Sequence, residues 1–484
     1  FITSGKGLRE EAIAVSSGKI TGISGPVVRG FTLSPVKMFE VAYVGDNKLL
    51  GEVIRIEGNS VDIQVYEDTS GVTNGEPIEF SGELLAVDLG PGILGSVLDG
   101  IGRPLRVLGE EGIYLKRGIH LNSIDRNKIW HFTPLLQPET SISSGTILGY
   151  VIEGSYLRHY IMAPPEISTA VAVWVAPEGD YSVETPLCCL ESGEELCMQQ
   201  RWEVRRSRPV GSRLPFDAPL LTGQRILDTL FPIALGGAAV LPGGFGTGKT
   251  ITQQSLAKWC NADIIIYIGC GERGNEMTEV LEEFPELNDP FHAAPLMERM
   301  VLIANTSNMP VAAREASIYL GMTLAEYFRD KGYNVAIMAD STSRWAEALR
   351  EIGGRLEEMP GEEGYPDYLG TRLAQYYERA GRTVVLGVPE REGSVTVINA
   401  VSPPGGDFSE PVTQASLRLS GAFWGLDKRL AQQRHFPAIN WRQSYTLYEE
   451  SLAPIFEKKL GPQWKELKNY LKEMLDREKV LMDL

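Results

Sequence analysis

The feature that most constrains this chain is a glycine-rich octapeptide, Gly-Gly-Phe-Gly-Thr-Gly-Lys-Thr, at residues 243–250. It follows the apolar run 238–241 and precedes the helix-competent stretch 251–259. The pattern G-x-x-x-x-G-K-[ST] between a strand and a helix is typical of a phosphate-binding loop, because glycines let backbone N–H groups turn toward the anion without Cβ clashes. The sequence therefore predicts a phosphate site at the end of a strand in an α/β domain.

Two side chains of this loop have distinct predicted tasks. Lys249 neutralises the β- and γ-phosphate charge, and the Thr250 hydroxyl is a ligand that Mg²⁺ accepts. The alternative interpretation, a surface glycine turn that happens to contain a lysine, does not explain the strand and helix that flank the loop. The predicted phosphate-binding set is Gly243, Gly244, Phe245, Gly246, Thr247, Gly248, Lys249, Thr250 and Ile251.

An acidic residue ends the hydrophobic run 334–340 and is the predicted metal-side acid. Phosphate loops of this kind require such a carboxylate to hold the hydration shell of the metal. Asp340 also precedes Ser341, Thr342 and Ser343, a context that favours a helix N-cap. The two roles are compatible, and both stay open at this point.

A carboxylate and a guanidinium follow the strand-like run 262–268. Glu272 and Arg273 come after Gly269-Cys270-Gly271, and open parallel sheets bind ligands at this carboxyl edge. Glu272 is the predicted catalytic carboxylate that polarises water, and Arg273 the predicted contact to γ-phosphate oxygens. Charged tripeptides such as Gly271-Glu272-Arg273 are common in solvated loops. This one follows the loop lysine by 272 − 249 = 23 residues, and this spacing favours a role in the phosphate site. We expect Cys270 to be a small buried residue rather than a nucleophile.

The length of 484 residues predicts about three domains. Apolar and polar residues alternate over 54–65, with a turn at Gly58-Asn59, and this pattern predicts a hairpin of a small barrel. Strands that alternate with helices after residue 205, such as the helix 310–331, predict a parallel sheet. The expected α/β multidomain architecture has an N-terminal β-barrel at 18–85, a β-rich insertion at 106–200, a nucleotide-binding domain at 205–443 and the start of a helical domain at 444–484.

Charge and cysteine content exclude some classes of protein. The chain has 46 Lys plus Arg and 63 Asp plus Glu, and 46 − 63 gives a net charge of −17. This excess of negative charge opposes general nucleic-acid binding. Five cysteines are too few for a disulfide framework in a chain of this length, which favours a reducing, cytoplasmic compartment. No apolar run approaches the roughly 18 residues of a membrane span, so a link to a membrane is expected only through partners.

Several long strings resemble one family, the catalytic A subunits of V-type and A-type rotary ATPases. The strings are GKITGISGPVV at 18–28, the P-loop itself, GERGNEMTEV at 271–280, ANTSNMPVAAREASIY at 304–319, MADSTSRWAEALRE at 338–351, RLEEMPGEEGYP at 355–366 and RHFPAINW at 434–441. The resemblance implies a RecA-like domain between the barrel and the helical domain, with the segment 106–200 as the bulge insertion typical of these catalytic chains. It also implies that the helical domain continues beyond residue 484, so that it is truncated here.

The same resemblance implies the ligands, partners and site residues. ATP or ADP would bind with Mg²⁺, with Lys249 and Thr250 at the phosphates, Asp340 as the acid on the metal side, Glu272 as the catalytic carboxylate and Phe436 as an aromatic wall for adenine. From the residues alone, Phe436 is expected in a core. A non-catalytic B-type subunit would alternate with this chain in a hexamer and supply an arginine finger. Central and peripheral stalk subunits would link the head to an ion-translocating membrane sector.

Two loop residues depart from the family pattern. Gly244 occupies a position where proline or alanine is usual, and Thr247 a position where alanine, serine or cysteine is usual. Two other functions stay open. A regulatory subunit could hold ATP without turnover, although Lys249 and Glu272 argue against it. A Rho-like hexameric RNA translocase shares the layout, although the net charge and the insertion oppose it. The segment 462–480 is predicted as an amphipathic packing helix with Trp464, Leu467, Leu471, Met474 and Leu475 on one face.

Overall fold

The computed structural model describes residues 16–110 and 117–483 of the chain. Its first part is a closed six-stranded barrel with the strand order β1-β2-β5-β4-β3-β6. The predicted hairpin is present as β4 and β5, which turn at Gly58 and Asn59. Inward-pointing Val28, Ile63 and Phe80 are fully buried in the barrel core. The strands are β1 Ser16–Ser24, β2 Val27–Thr32, β3 Glu40–Val44, β4 Leu49–Glu57, β5 Ser60–Val65 and β6 Pro77–Leu84.

The chain segments that precede and follow the insertion lie side by side. It is preceded by β7 (Ala86–Leu89), β8 (Val97–Leu98) and α1 (Leu105–Glu110). Two four-stranded sheets follow, with the orders β10-β13-β15-β16 and β12-β11-β9-β14. After the insertion, β17 (Gln200–Glu203) pairs with β7, so the chain returns to its point of departure. The inserted strands are β9 Ile129–Pro134, β10 Thr140–Ile142, β11 Ile147–Glu153, β12 Leu157–Met162, β13 Ala170–Val175, β14 Gly179–Ser182, β15 Cys188–Leu190 and β16 Glu195–Leu196.

A ten-stranded sheet forms the centre of the nucleotide-binding part. Its strands include β18 Ser212–Arg213, β21 Ala238–Pro242, β22 Ile264–Glu272, β23 Met300–Thr306, β24 Asn334–Asp340, β25 Gly381–Val384, β26 Glu392–Val401, β27 Ala422–Phe423 and β28 Tyr445–Thr446, while β19 Pro219–Leu220 and β20 Ile233–Ala234 pair separately. The inner strands β21, β26, β24, β22 and β23 are parallel, and β8 extends the sheet beside β23. The predicted parallel sheet is confirmed.

Helices cover this sheet. They are α2 Arg225–Leu230, α3 Lys249–Trp259, α4 Gly274–Glu286, α5 Val311–Arg329, α6 Thr342–Arg355, α7 Leu369–Tyr377, α8 Pro411–Leu419 and α9 Lys428–Gln432, with short 3₁₀ turns at Leu296–Arg299, Glu362–Gly364 and Pro404–Gly406. The predicted helix 310–331 is α5, which begins after Pro310 and stops before Gly332, a residue with φ +91. The apolar run 384–388 also predicts a strand, but only Val384 belongs to β25, and Gly387, with φ +93, turns the chain there.

Two helices, α10 (Glu449–Leu460) and α11 (Trp464–Asp483), form the helical region. Trp464 stacks on Phe456 with ring centroids 4.8 Å apart. The packing face predicted for α11 is confirmed only in part: Leu475 also packs against the core, whereas Leu467 is 63% exposed and Met474 51% exposed. The buried neighbour of Trp464 is instead Lys468, which pairs with Glu449 at 2.9 Å.

Among the described residues, no helix combines the length and the apolar character needed to cross a membrane. The barrel, the β-rich insertion, the α/β domain and the helical region occur in the predicted order. The exact domain boundaries at 85, 106, 200, 205 and 443 stay a prediction.

Candidate nucleotide site

The phosphate loop connects the buried strand β21 to α3 in the predicted way. Gly246 has φ +76 and Gly248 φ +84, a left-handed conformation that disfavours residues with a Cβ. A Cβ at Gly243 would lie 2.5 Å from Thr247 Oγ1, which donates to the Gly244 carbonyl at 2.8 Å. The loop is therefore compact, and α3 presents its positive N-terminus beside it. At Gly244 the nearest atom to an added Cβ is 3.9 Å away, so glycine is not sterically required there.

The loop lysine is folded back over its own loop. Lys249 Nζ donates to the carbonyls of Gly243 at 2.9 Å and Gly244 at 3.2 Å. Burial lowers the pKa of Lys249, and the nearby Asp340, Glu272 and Glu276 carboxylates act in the opposite direction. A cation in weak contact with neutral carbonyls is ready to exchange them for phosphate oxygens, which bind it more strongly.

The predicted metal residues are in direct contact. Thr250 Oγ1 donates to Asp340 Oδ2 at 2.7 Å, although 90 residues separate them. Asp340 ends β24 and is 1% exposed, and its Oδ1 has no hydrogen-bond partner within residues 16–110 and 117–483. Burial raises the pKa of Asp340. A hydroxyl and a carboxylate oxygen that lacks a partner are hard oxygen ligands, so these residues fit Mg²⁺.

The N-cap alternative for Asp340 is not what the geometry shows. Helix α6 begins at Thr342, and its N-cap position is Ser341. The Asp340 carboxylate bonds to Thr250 on α3 rather than to the first turn of α6.

The predicted catalytic carboxylate lies at the carboxyl end of β22, next to the strand that ends in Asp340. Burial and, to a smaller extent, the Asp340 and Glu276 carboxylates raise the pKa of Glu272 to about 7, although a hydrogen bond from Ser341 and the charge of Arg344 act in the opposite direction. The Ser307 amide donates to the Glu272 carbonyl at 2.9 Å and fixes the strand end. A carboxylate that titrates near neutrality matches the requirement for a general base.

Two arginines that the sequence patterns do not single out lie at this strand end. A Cβ on Gly271 (φ +75) would approach Arg344 Cβ to 2.7 Å and Arg314 Cδ to 2.9 Å. Arg314 is buried and donates to the Ser307 carbonyl at 3.1 Å, and Arg344 pairs with Glu347 at 2.8 Å. Both lie near the start of a helix that follows a sheet strand, which is the signal that could have found them.

Aromatic side chains surround the loop. The Arg273 guanidinium lies 4.9 Å from the centre of the Phe245 ring, which is 76% exposed. Phe436, expected in a core from the residues alone, is 60% exposed, and its ring is 3.4 Å from the place of a Cβ on Gly248. Ile251 is also exposed, at 61%. These faces are open to a bound base.

A cleft of about 860 Å³ lies beside the loop. Gly244 and Phe245 form one side, and Phe408, Leu426 and Gln443 lie on the others. These last three residues were not predicted from the sequence. They come from segments more than 150 positions after the loop, and no motif marks them.

Cys270 is fully buried, as expected, and burial raises the pKa of its thiol to about 12. The thiol is therefore neutral at physiological pH, which excludes a thiolate nucleophile at this position.

A phosphate loop alone is common to proteins that bind nucleotides and to those that hydrolyse them. Here the loop follows β21, and one strand, β26, separates β21 from β24, which ends in the metal-fitting carboxylate of Asp340. Beyond β24, strand β22 ends in Glu272, whose pKa is about 7. On a parallel sheet, this arrangement defines a P-loop nucleotide hydrolase.

Comparisons with known proteins narrow this class. Residues 223–446 match the nucleotide-binding domain of the ATP synthase alpha/beta family, residues 121–205 the barrel-sandwich domain of the alpha/beta subunits, and residues 20–82 the beta-barrel domain of that family. The A subunit of the A-type ATP synthase of Methanopyrus kandleri is 56% identical over 472 residues, 96% of this chain and 80% of the relative. The V-type ATP synthase alpha chain of Thermoanaerobacter sp. is 55% identical, over 97% of this chain and 80% of that relative.

The chain belongs to this family, together with the A subunits of A-type and the alpha chains of V-type ATP synthases. It is thus the catalytic subunit of a multisubunit rotary ATPase, an ATP hydrolase that binds ATP or ADP with Mg²⁺. The predicted family, fold and activity are confirmed. A solved structure, the assembled ATPase EscN of the enteropathogenic E. coli type III secretion system, shares the fold with a TM-score of 0.62 and 23% identity, over 94% of this chain and 88% of that one.

Proposed function

We propose that Glu272 is the general base of ATP hydrolysis, at a site that Lys249, Thr250 and Asp340 complete. The observation that supports this most is the position of Glu272 at the end of β22, where burial holds its pKa at about 7. A base with this pKa is deprotonated in a large fraction of molecules at neutral pH, yet it binds a proton strongly enough to take one from water.

The remaining residues bind and orient the nucleotide. Lys249 exchanges its two loop carbonyls for β- and γ-phosphate oxygens, and the glycine-rich loop offers its backbone N–H groups. Thr250 and Asp340 would hold Mg²⁺, which would supply positive charge to neutralise the phosphates. Arg273, at the exposed start of α4, contacts the γ-phosphate, and Phe436 provides a face for adenine.

The site lies open at a surface that a second subunit would close. The 60% to 76% exposure of Phe436, Ile251 and Phe245 leaves hydrophobic side chains uncovered beside the loop. We propose that a non-catalytic B-type subunit covers this region in an alternating hexamer and supplies an arginine to the γ-phosphate. Stalk subunits then couple turnover to H⁺ or Na⁺ transport by a membrane sector, and the head itself lies in the cytoplasm at the membrane periphery.

The Glu272→Gln substitution, which turns the carboxylate into an amide, tests the role of Glu272. Glu272→Gln preserves shape but cannot accept the proton, so we expect turnover in the assembled complex to fall by roughly 10²- to 10⁴-fold. Mg-ATP affinity, measured by isothermal titration, should stay within a few-fold of the wild-type value. The matched control is Glu279→Gln on the exposed side of α4, which should leave both quantities unchanged. Wild-type turnover in Glu272→Gln would remove this residue from the mechanism.

A further inference from the structure

A second cavity lies where the barrel, the strand that follows the insertion and the nucleotide domain meet. It has a volume of about 670 Å³, and none of its lining residues belongs to the phosphate loop. Phe39 and Leu84 come from the barrel side, and further walls come from the segment 203–213 and from α5 and α7. Seven arginines and three glutamates line it, and carboxylates outside the lining (Glu52, Glu166, Glu315 and Asp330) pair with four of these arginines.

Some of these arginines serve the fold and are fully occupied. Arg205 joins the barrel to α5 through Glu52 at 2.8 Å and Glu315 at 2.6 Å. Arg379 bonds to Glu326 at 2.6 Å. Buried ion pairs of this kind hold neighbouring elements in register, and they need no ligand.

Other donors at the cavity lack an anionic partner. Within the described ranges, Arg372 makes no ion pair and lies with its guanidinium carbon 5.2 Å from the Phe39 ring centre. Arg213 donates to main-chain carbonyls at the end of α7, among them that of Ala380 at 3.0 Å. Arg208 pairs with Asp330 through Nε at 2.6 Å, but its buried Nη1 has no hydrogen-bond partner in the part of the chain that the structure describes, and the buried Tyr319 hydroxyl lies beside the Arg372 side chain.

Buried donors without acceptors are costly and uncommon in native proteins. Guanidinium groups form their strongest hydrogen bonds with carboxylates and phosphates, and a phosphoryl group offers three acceptor oxygens to donors from several directions. A volume of about 670 Å³ is within the usual range of small-molecule sites, roughly 300 to 1,000 Å³.

We propose that this cavity is a second anion site, which binds a ligand through a phosphoryl group with Arg372 and Arg213 as its main contacts. The site is separate from the catalytic one. An occupant contacts the barrel through Phe39, the segment after the insertion through Arg213, and α7 through Arg372, so its binding joins three parts of the chain and stabilises their arrangement.

Inorganic pyrophosphate is a suitable probe, provided that the catalytic loop is disabled. In full-length Lys249→Ala protein, isothermal titration should still show one pyrophosphate binding event, and the melting temperature should rise with pyrophosphate concentration. Adding Arg372→Gln should weaken this event at least tenfold, because a charge-assisted hydrogen-bonding group is lost. Arg158→Ala in the same background is the control, since Arg158 is exposed and also stacks on an aromatic ring, at 5.1 Å from Tyr150. It should not change the affinity.

Two results would overturn the proposal. One is the absence of any pyrophosphate binding by Lys249→Ala protein at millimolar concentrations. The other is equal affinity with and without Arg372→Gln, which would assign the event to the residual phosphate loop. Circular dichroism checks the fold of each variant, and Arg213→Gln is the second variant if Arg372→Gln does not fold.

Discussion

Lys249, Thr250 and Asp340 show how far single residues can be predicted from a sequence. The loop pattern determines the first two, because only glycines and a lysine at these spacings build such a cradle. Asp340 follows from the apolar strand before it, and its contact with Thr250 at 2.7 Å agrees with that expectation. Arg314 and Arg344 could not be found in this way, because their proximity to Gly271 results from the packing of α5 and α6 over the sheet.

Removal of the loop cation should abolish Mg-ATP binding. In Lys249→Ala, no other residue of the loop replaces the charge that faces the phosphates, so we expect at least a 100-fold loss of affinity by isothermal titration. Lys258→Ala, in the last turn of the same helix, is the matched control and should bind normally. Equal affinities of both variants would mean that the loop does not bind phosphate.

The raised pKa of Glu272 gives a pH dependence with a definite sign. Below pH 7 the carboxyl is increasingly protonated and cannot accept a proton, so kcat/KM for ATP should rise with pH around a midpoint near 7. An ordinary glutamate would give this rise near pH 4.3. The residual activity of Glu272→Gln should lack the step. A wild-type profile that is flat between pH 6 and 8 would contradict the assignment.

At the scale of elements, the sheet and the C-terminal helix α11 were predictable from the sequence, but the exposure of much of the apolar face of α11 was not. Continuous apolar runs such as that of β22 are typical of strands buried on both faces, and the structure places them in the parallel centre. Helix α11 has the spacing of a buried stripe, yet Leu467 and Met474 are exposed. Spacing defines which residues share a face, but it does not show whether another element covers that face.

A buried polar cluster joins the insertion to α5. His159 of β12 is fully buried, with Nδ1 2.5 Å from Glu153 Oε2 and Nε2 2.9 Å from the Tyr327 hydroxyl. Burial and the nearby charge of Lys331 lower the pKa of His159 to about 4, although Glu153 opposes this. The imidazole is therefore neutral in the folded protein at physiological pH.

This histidine should make the folded protein less stable in mild acid. Between pH 6.5 and 4 the unfolded chain binds a proton at this residue and the folded chain does not, so the free energy of unfolding falls as pH falls. The shift of 6.5 − 4 = 2.5 pH units corresponds to at most about 3 kcal/mol. In His159→Gln, the melting temperature should fall less steeply between pH 6.5 and 4. His131→Gln on the exposed insertion surface is the control. Parallel curves for wild type and His159→Gln would contradict this account.

At the scale of the whole molecule, the barrel precedes the central sheet, and the insertion lies in sequence between β8 and the other strands of that sheet. The pairing of β17 with β7 closes the insertion at its base, and β8 joins the central sheet before the insertion begins. Arg205 then links Glu52 of the barrel to Glu315 of α5. The nucleotide loop nevertheless remains open, with exposed Phe245 and Phe436 beside it. In our proposal, the catalytic site therefore requires a neighbouring subunit to complete it.

Steady-state ATP hydrolysis by the purified chain, alone and with an equimolar B-type partner, tests this central claim most directly. Arginine fingers supplied in trans contribute roughly 10³- to 10⁵-fold to turnover. We therefore predict slow hydrolysis by the monomeric chain, a gain of at least about 10³-fold on addition of the partner, and loss of that gain when the partner's arginine is replaced. Turnover of tens per second, typical of a complete site, by a chain shown to be monomeric by light scattering would contradict the account.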